Sequence, residues 1–401
     1  MSKLMLVSLN SIHLWNYYNL IRDYFDEVTI ITNISSNKAK IDGCNIYEIE
    51  FSLKWKETIK GVLKLIPIIK KINPDIIHCH QMNVFTFLPI LAKKLGRKKK
   101  IPIIATAWGS DVLLTPYKKP FNMWMLKYIL KNVNAITADS FFLASKIKDI
   151  YLSDKKIKLK NETGSSLFYR VQVYKDKKVN TDNTSHYGIK DIEIQIANFG
   201  IDISYNNNID AQVKDFREVN KENIIYSNRL HGAVYRIEKV IEGFSNFIKT
   251  SEQDWELVIA GDGKLTESYK YLVKKLNIES KVVFTGWLNQ SDNYMYYKKA
   301  RIYVSIPESD ATSISLLEAM YSGCIPVVSR LPANMEWILD KINGILVDDV
   351  TKLHLYLTES LQVNIEILQW INRKMVLMKG SKESNKEKFF EVYEKLLKKS
   401  N

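Results

Sequence analysis

Residues 307–330 read PESDATSISLLEAMYSGCIPVVSR, and this stretch decides how the chain folds. Asp310 and Glu318 stand in it with seven residues between them, flanking the small run Ala311-Thr312-Ser313. The segment opens what reads as a helix. Gly323 and Pro326 stop it, and Val327-Val328 predict a strand beyond. A loop that opens into a helix aims free backbone N–H groups and a positive dipole end at whatever docks there. A phosphate fits that field. An acid inside the next two turns does not favour phosphate, so Glu318 is expected to accept hydrogen bonds from hydroxyls. Phosphate donors and a hydroxyl acceptor at one helix start suggest a nucleotide-sugar site.

The same strand-and-helix rhythm runs outward from this segment. Upstream, strands are expected at 224–227, 256–260, 282–285 and 302–306, with helices at 236–250, 265–276 and 291–299. The first half predicts strands at 4–9, 28–32, 75–80, 102–106, 135–138 and 194–199. Its helices fall at 13–26, 55–72, 84–95, 121–132 and 140–150. Residues 151–191 are polar and Lys-rich, with short β-like pieces such as 166–174, and the chain ends in Lys/Glu-rich helices such as 386–399. Alternation of this kind predicts an α/β chain of two doubly wound, Rossmann-like domains, at 1–200 and 201–380, joined near 200–220. Residues 381–401 form a C-terminal helix expected to pack back on the first domain. Ligands of such sheets bind beyond the carboxyl ends of the strands, so a cleft between the two domains is the expected site.

Length and composition agree. A chain of 401 residues can build two cores, and 46% hydrophobic with 25% charged residues is ordinary for a globular protein. Lysines interrupt every long apolar run, which excludes a membrane-spanning helix, and MSKLMLVSLNS turns polar too soon for a signal peptide. Cys44, Cys79 and Cys324 are far apart and odd in number. They predict a reducing, cytoplasmic setting without a disulfide framework.

The net charge of +14 is one-sided. Residues 1–200 hold 31 Lys and Arg against 17 Asp and Glu, a surplus of 14; residues 201–401 hold 27 of each. A lysine-rich coding bias would have touched both halves, so an anionic partner is expected for the first half alone. Lys56, Lys60 and Lys64 recur every fourth residue beside Val62, Leu63, Leu65 and Ile66. That is the pattern of a basic amphipathic helix lying on an anionic bilayer. Its alternative is a solvated face with the apolar side in the core. Arg97-Lys98-Lys99-Lys100 and Lys118-Lys119 add charge, and Phe121, Met123, Trp124 and Met125 add apolar bulk. A nucleic-acid groove would want base-stacking aromatics; the mixture with Met, Leu and Ile favours lipid over nucleic acid.

Several strand ends carry candidate chemistry. Asn228-Arg229 follows the strand at 224–227, and Arg236 stands at the next helix start. Two guanidiniums there suit a diphosphate, since Arg offers fork-shaped donors and a fixed charge. Gly261-Asp262-Gly263 follows a strand, and Gly263 would let a ligand near the backbone or simply make a turn. Trp287 after Gly286 is placed to stack on a base or to half-fill a core. Asp111, in Trp108-Gly109-Ser110-Asp111, stands where it would orient or deprotonate an acceptor hydroxyl. His13 lies in the first strand-to-helix loop and suits phosphate, sugar or helix cap. His78 and His80 share one strand face. A metal there is discounted because no third ligand is evident, and no Asp-x-Asp pair exists to hold a metal-bound nucleotide.

These residues together resemble a family. ESDATSISLLEAMYSGCIPVVS resembles the signature of the family 4 retaining glycosyltransferases of the GT-B fold. SNRLHGAVYRIEKVIEGF, LVIAGDGKL, VVFTGWL and residues 343–347 (NGILV) resemble its other C-terminal segments in order. PDIIHCH, ATAWGSD and NFGID resemble the N-terminal half, so nearly the whole chain is covered. The resemblance implies that Glu318 holds the ribose hydroxyls, Asp310 the donor sugar, and Arg229 and Arg236 the diphosphate. His80, Asp111 and His13 would face acceptor and sugar. It implies retention at the anomeric carbon, with the leaving diphosphate helping to deprotonate the acceptor, and no metal cofactor. Two positions depart from the usual pattern: Asp310 stands for Glu, and Arg236 for Lys. The first-loop glycine pair is absent, with Ser8, Asn10 and Ser11 there instead. The expected activity is transfer of a hexose-type sugar from a nucleoside-diphosphate sugar to a lipid-linked or oligosaccharide acceptor in surface polysaccharide or glycoconjugate assembly, at the inner face of a membrane. A nucleotide-sugar epimerase and a catalytically silent binding subunit remain the alternatives.

Overall fold

A computed structural model describes residues 2–33, 44–98, 100–153, 194–203 and 221–400; the β-like pieces expected at 166–174 lie outside them. The chain divides into two units: Met1–Asn198 with Lys386–Asn401, and Phe199–Asn385.

In the first unit, strands β1 (Lys3–Val7), β2 (Glu27–Thr32), β3 (Asn45–Glu48), β4 (Ile76–His80), β5 (Ile103–Thr106), β6 (Ala135–Ala138) and β7 (Ile194–Ile196) build one sheet. Their order is β3-β2-β1-β4-β5-β6-β7, and every neighbouring pair is parallel. β3 was not foreseen. It is an edge strand, largely exposed, and lacks the unbroken apolar run that marks its buried neighbours. The helices Trp55–Ile72 and Val84–Leu95 occupy the spans that their periodicity predicts. Asn83 caps the second by accepting from the Phe85 amide, and Asn73, in the left-handed region, closes the first.

The helix Trp55–Ile72 resolves its two readings by face. Val62, Leu65, Ile69 and Ile72 enter the core at helical spacing, each such burial being worth about 1.5–3 kcal/mol. Trp55, Ile59 and Leu63 remain exposed among Lys56, Lys60 and Lys64. Of the apolar bulk near residue 121, Phe121 and Trp124 are exposed, whereas Met125 belongs to the core.

In the second unit, β8 (Glu222–Ser227), β9 (Glu256–Ala260), β10 (Val282–Gly286), β11 (Ala300–Ser305), β12 (Ile325–Ser329) and β13 (Ile345–Val347) build a parallel sheet in the order β10-β9-β8-β11-β12-β13. Period-two alternation sends Ile225, Leu257 and Ile302 to one face, packed with Val240, Phe244 and Leu353. It sends Tyr226, Val258 and Tyr303 to the other, packed with Tyr297, Leu316 and Leu317. Both sheets reverse direction of growth once, between β1 and β4 and between β8 and β11, and such switch points open a crevice at the strand ends. Where the chain enters and leaves the second unit, Ile201 bonds to Gly380 and Lys382. Gly200 (φ +67°) stands so close to Ser381 that a Cβ would meet its backbone at 2.5 Å. Among the described residues no helix is long and apolar enough to cross a membrane.

Candidate active site

The second unit gathers its charged residues at the β8/β11 switch point. Arg229 leaves the end of β8, and the loop after β11 carries Glu308, Asp310 and Ser313 toward it. Arg229 donates from Nη2 to Asp310 Oδ2 at 2.7 Å and from Nη1 to Ser313 Oγ at 2.5 Å. Its guanidinium lies 4.6 Å from the Tyr235 ring centre. Burial works against its charge, but Asp310 beside it holds the guanidinium above its ordinary pKa. Asp310 Oδ1 accepts from the Ala311 amide at 3.0 Å. Ser313 caps the helix Ile314–Tyr321 by accepting from the Leu316 amide. Ala311 is buried, while Thr312 is half-buried in the same turn.

Arg236 joins the cluster from the next helix start. Its Nη2 lies 3.3 Å from Glu308 Oε1, an acid that the spacing did not single out. Its backbone sits at φ 53°, in the left-handed region that non-glycine residues avoid, and strain of this kind gathers at functional sites. The Glu308 amide donates to the Val234 carbonyl at 2.9 Å, so the two loops are pinned to each other as well as ion-paired.

Glu318 lies in the second turn of the helix, on the face that Tyr226 shares. Burial pushes its carboxyl up to about 7, against donors on Tyr297 and Asn293 and the charge of Lys382. A half-buried acid with so few partners suits a role as acceptor for hydroxyls.

The glycine turn has a structural explanation. A Cβ on Gly263 would meet the His231 carbonyl at 2.5 Å, and one on Gly261 the Arg229 carbonyl at 2.6 Å. The missing side chains let the loop carrying Arg229 lie directly on the turn, which the His231 amide fastens by donating to Asp262 O at 3.0 Å. Gly261 therefore acts on Arg229, and Gly263 on His231, through the backbone. Trp287 is 70% exposed at the end of β10, open for stacking and not half-filling a core.

The first unit places His80, Trp108, Asp111 and His13 near its own switch point. His80 ends β4 and is fully buried, its ring 4.4 Å from Tyr17, 5.1 Å from His78 and 5.8 Å from Trp108; burial holds its pKa well below the usual value. Asp111 is buried too. Its Oδ2 accepts from the Met82 amide at 2.6 Å and its Oδ1 from the Trp108 amide at 3.0 Å. It thus clamps the loops after β4 and β5, and burial raises its pKa to about 6 in spite of those donors. His13 lies in the first turn of the helix Ile12–Ile21, not in the loop before it, and its ring meets Trp108 edge-on at 5.4 Å. Ser11, not His13, caps that helix.

His78 is structural. Its Nδ1 bonds to Tyr393 Oη at 2.8 Å and Tyr17 Oη at 3.2 Å, its Nε2 to Thr106 Oγ1 at 2.7 Å. Tyr393 belongs to the C-terminal segment that rejoins this unit. Among the described residues no group of three or more His, Cys, Asp or Glu could hold a metal ion.

The sequence pattern gave no role to Asn228, Glu308, Asn293, Tyr226 and Tyr297, which surround the acids and arginines. Asn228 stands next to Arg229, and Glu308 two residues before Asp310; nothing in spacing identified the others, which meet only because helix Gln290–Lys299 packs on the Tyr226 face.

Two family models match. The one described as glycosyl transferases group 1 covers residues 208–372, and the one described as glycosyl transferase 4-like covers residues 4–140. The alpha-monoglucosyldiacylglycerol synthase of Streptococcus pneumoniae is 27% identical over 302 residues, 72% of this chain and 59% of that one. The N-acetyl-alpha-D-glucosaminyl L-malate synthase of Bacillus anthracis is 22% identical, covering 77% of this chain and 66% of that one. The chain therefore spans less than two thirds of the length of either relative in these matches. The crystal structure of Anabaena HepE in complex with UDP-glucose superposes with a TM-score of 0.68 at 12% identity, over 98% of this chain and 100% of that one. Sucrose-phosphate synthase from Thermosynechococcus elongatus does so with 0.68 at 13% identity, over 99% of each. The two sheets and these likenesses establish a two-domain α/β fold of the GT-B type.

Proposed function

The chain belongs to the group 1 glycosyltransferases of the GT-B fold, and from that premise we propose that it moves a hexose-type sugar from a nucleoside-diphosphate sugar to a lipid-linked or oligosaccharide acceptor, with retention. One observation carries the proposal: Arg229 is held by Asp310 and Ser313 at the mouth of a helix whose second turn presents Glu318. A diphosphate would take the donors of Arg229 and Arg236 together with the helix N–H groups. Asp310, released from Arg229, would then accept from hydroxyls of the transferred sugar, and Glu318 from the ribose. The acceptor oxygen bonds to the anomeric carbon as the bond to the diphosphate oxygen breaks, and the acceptor proton passes to the departing diphosphate. The arginines and helix start carry the developing charge, with no metal ion in the proposed reaction. Trp287 is assigned to stacking on the base.

In the first unit, Asp111 and His80 would position Trp108 and His13 toward the acceptor. Support for an anionic membrane as the working surface comes from the helix Trp55–Ile72, which exposes Trp55, Ile59 and Leu63 among three lysines. Phe121 and Trp124, exposed beside Lys118 and Lys119, extend the same chemistry. A cytoplasmic, peripherally bound enzyme of glycan assembly fits these features.

The test is product analysis with UDP-, GDP- and ADP-hexoses, with and without glycolipid acceptors. Acceptor-dependent release of nucleoside diphosphate, lost in Arg229→Ala and Glu318→Ala, is the expected result. Epimerised donor formed without acceptor, or turnover unimpaired in both variants, would overturn the proposal.

A further inference from the structure

Asn293 lies on the helix Gln290–Lys299, in a stretch that carries no charge pattern or turn signal. Its side chain is nevertheless fully specified. Tyr226 donates its hydroxyl to Asn293 Oδ1 at 2.5 Å, and Asn228 donates its amide to the same oxygen at 2.9 Å. An amide oxygen that receives two donors fixes which end of the group is which. Nδ2 is thereby turned on Glu318, 3.5 Å from Oε2. The second hydrogen of Asn228 Nδ2 goes to Tyr297 Oη at 2.7 Å, which leaves the Tyr297 hydrogen for Glu318, its other side-chain donor. Both side-chain donors to Glu318 are therefore oriented by one amide, and that amide belongs to the residue before Arg229.

We propose that Asn293 is a positioning residue for the donor nucleotide: it holds the Glu318 carboxyl in the rotation that receives the ribose hydroxyls. This rests on the assignment of Glu318 to the ribose. The physical need is plain. A Glu side chain has rotamer freedom to lose, and a buried carboxyl short of donors takes up a proton and becomes a donor itself. Asn293 opposes both, and its own orientation does not depend on the ligand. Asn228 would transmit the same order to Arg229, so ribose and phosphate recognition share one anchored strand end.

The experiment is calorimetric binding of UDP, GDP and ADP, and of their 2′,3′-dideoxy counterparts, to the full chain. Asn293→Leu should weaken the best-bound nucleotide about tenfold and its dideoxy counterpart by less than about twofold. In turnover it should raise the donor KM and leave kcat at saturating donor nearly unchanged. Asn293→Asp, which keeps the shape, should bind progressively worse as pH rises from 6 to 8, because the two carboxyls can share one proton only at the lower pH. Equal losses for ribose and dideoxy nucleotides, or no loss, in both variants would overturn the positioning role. Glu318→Gln separates this failure from that of its premise. If it discriminates against ribose while the Asn293 variants do not, only the positioning role falls. If it leaves the ribose preference intact, or if the wild-type chain binds none of the three nucleotides, the ribose assignment itself falls.

Discussion

Arg229 and Asp310 form an ion pair at 2.7 Å in which the arginine side chain is 10% exposed and the aspartate 19%. The pair joins the ends of β8 and β11, strands that are neighbours in the sheet but far apart in sequence. Its second guanidinium nitrogen goes to Ser313, the cap of the helix Ile314–Tyr321. One planar group therefore sets the rotation of an acid, a hydroxyl and a helix start.

Arg229→Lys keeps the charge and loses the fork. It should lower kcat/KM by about 10²–10³, the scale of losing one preorganised donor at a developing charge. Arg229→Ala should also lower unfolding free energy by about 1–3 kcal/mol, since it leaves Asp310 partly buried without its partner. Steady-state kinetics and denaturant titration check the two.

Glu318 makes the opposite bargain with stability. Its folded pKa of about 7 lies above its ordinary value of 4.5, so the folded chain binds the proton more tightly than the unfolded chain. Stability contributed by the protonated form is present below the ordinary value and is lost as pH rises through about 7. Glu318→Gln should therefore stabilise the ligand-free protein at pH 8 by roughly 1–3 kcal/mol and have little effect at pH 4. The same variant should bind donor more weakly. Thermal unfolding across pH, with and without nucleotide, reads both effects.

His78 predicts an acid limb. Burial holds it near pKa 3 against an ordinary 6.5, so it stays neutral in the fold while the unfolded chain takes up a proton. Its contribution is complete above pH 6.5 and is lost as pH falls toward 3, by at most about 5 kcal/mol. His78→Gln should flatten this limb while lowering stability at pH 7.5, and Tyr393→Phe should destabilise at neutral pH without flattening it. Stability curves from denaturant unfolding between pH 4 and 8 check this.

The basic helix predicts salt-sensitive vesicle binding. Cosedimentation with anionic vesicles should fall steeply between 50 mM and 500 mM salt and should drop in a Lys56→Glu, Lys60→Glu, Lys64→Glu triple variant. Trp55→Ala should weaken the binding that survives at high salt. Weak binding insensitive to salt would remove the membrane from the account.

The sheet and its helices were legible because buried parallel strands are unbroken apolar runs and amphipathic helices keep a 3.6 period. The helix Trp55–Ile72 and β9 fall where those patterns end. β3 did not, because an exposed edge strand has no such run. Arg229, Asp310 and Glu318 were legible from their position at strand and helix ends. Glu308 and Asn293 were not, since an ion pair across 72 residues and a shared amide oxygen leave no local trace. Asp111 and His80 read as open strand-end groups in sequence, but the structure buries them. An acid that clamps two loops through backbone amides is indistinguishable, in spacing alone, from one that faces a substrate.

The most direct measurement is release of nucleoside diphosphate from UDP-, GDP- and ADP-hexoses by the purified chain with a glycolipid acceptor, run in parallel with Arg229→Ala and Glu318→Ala. The account predicts acceptor-dependent release from one of these donors, with both variants reduced at least about a hundredfold. Release that is equal in all three proteins, or none from any donor, would contradict it.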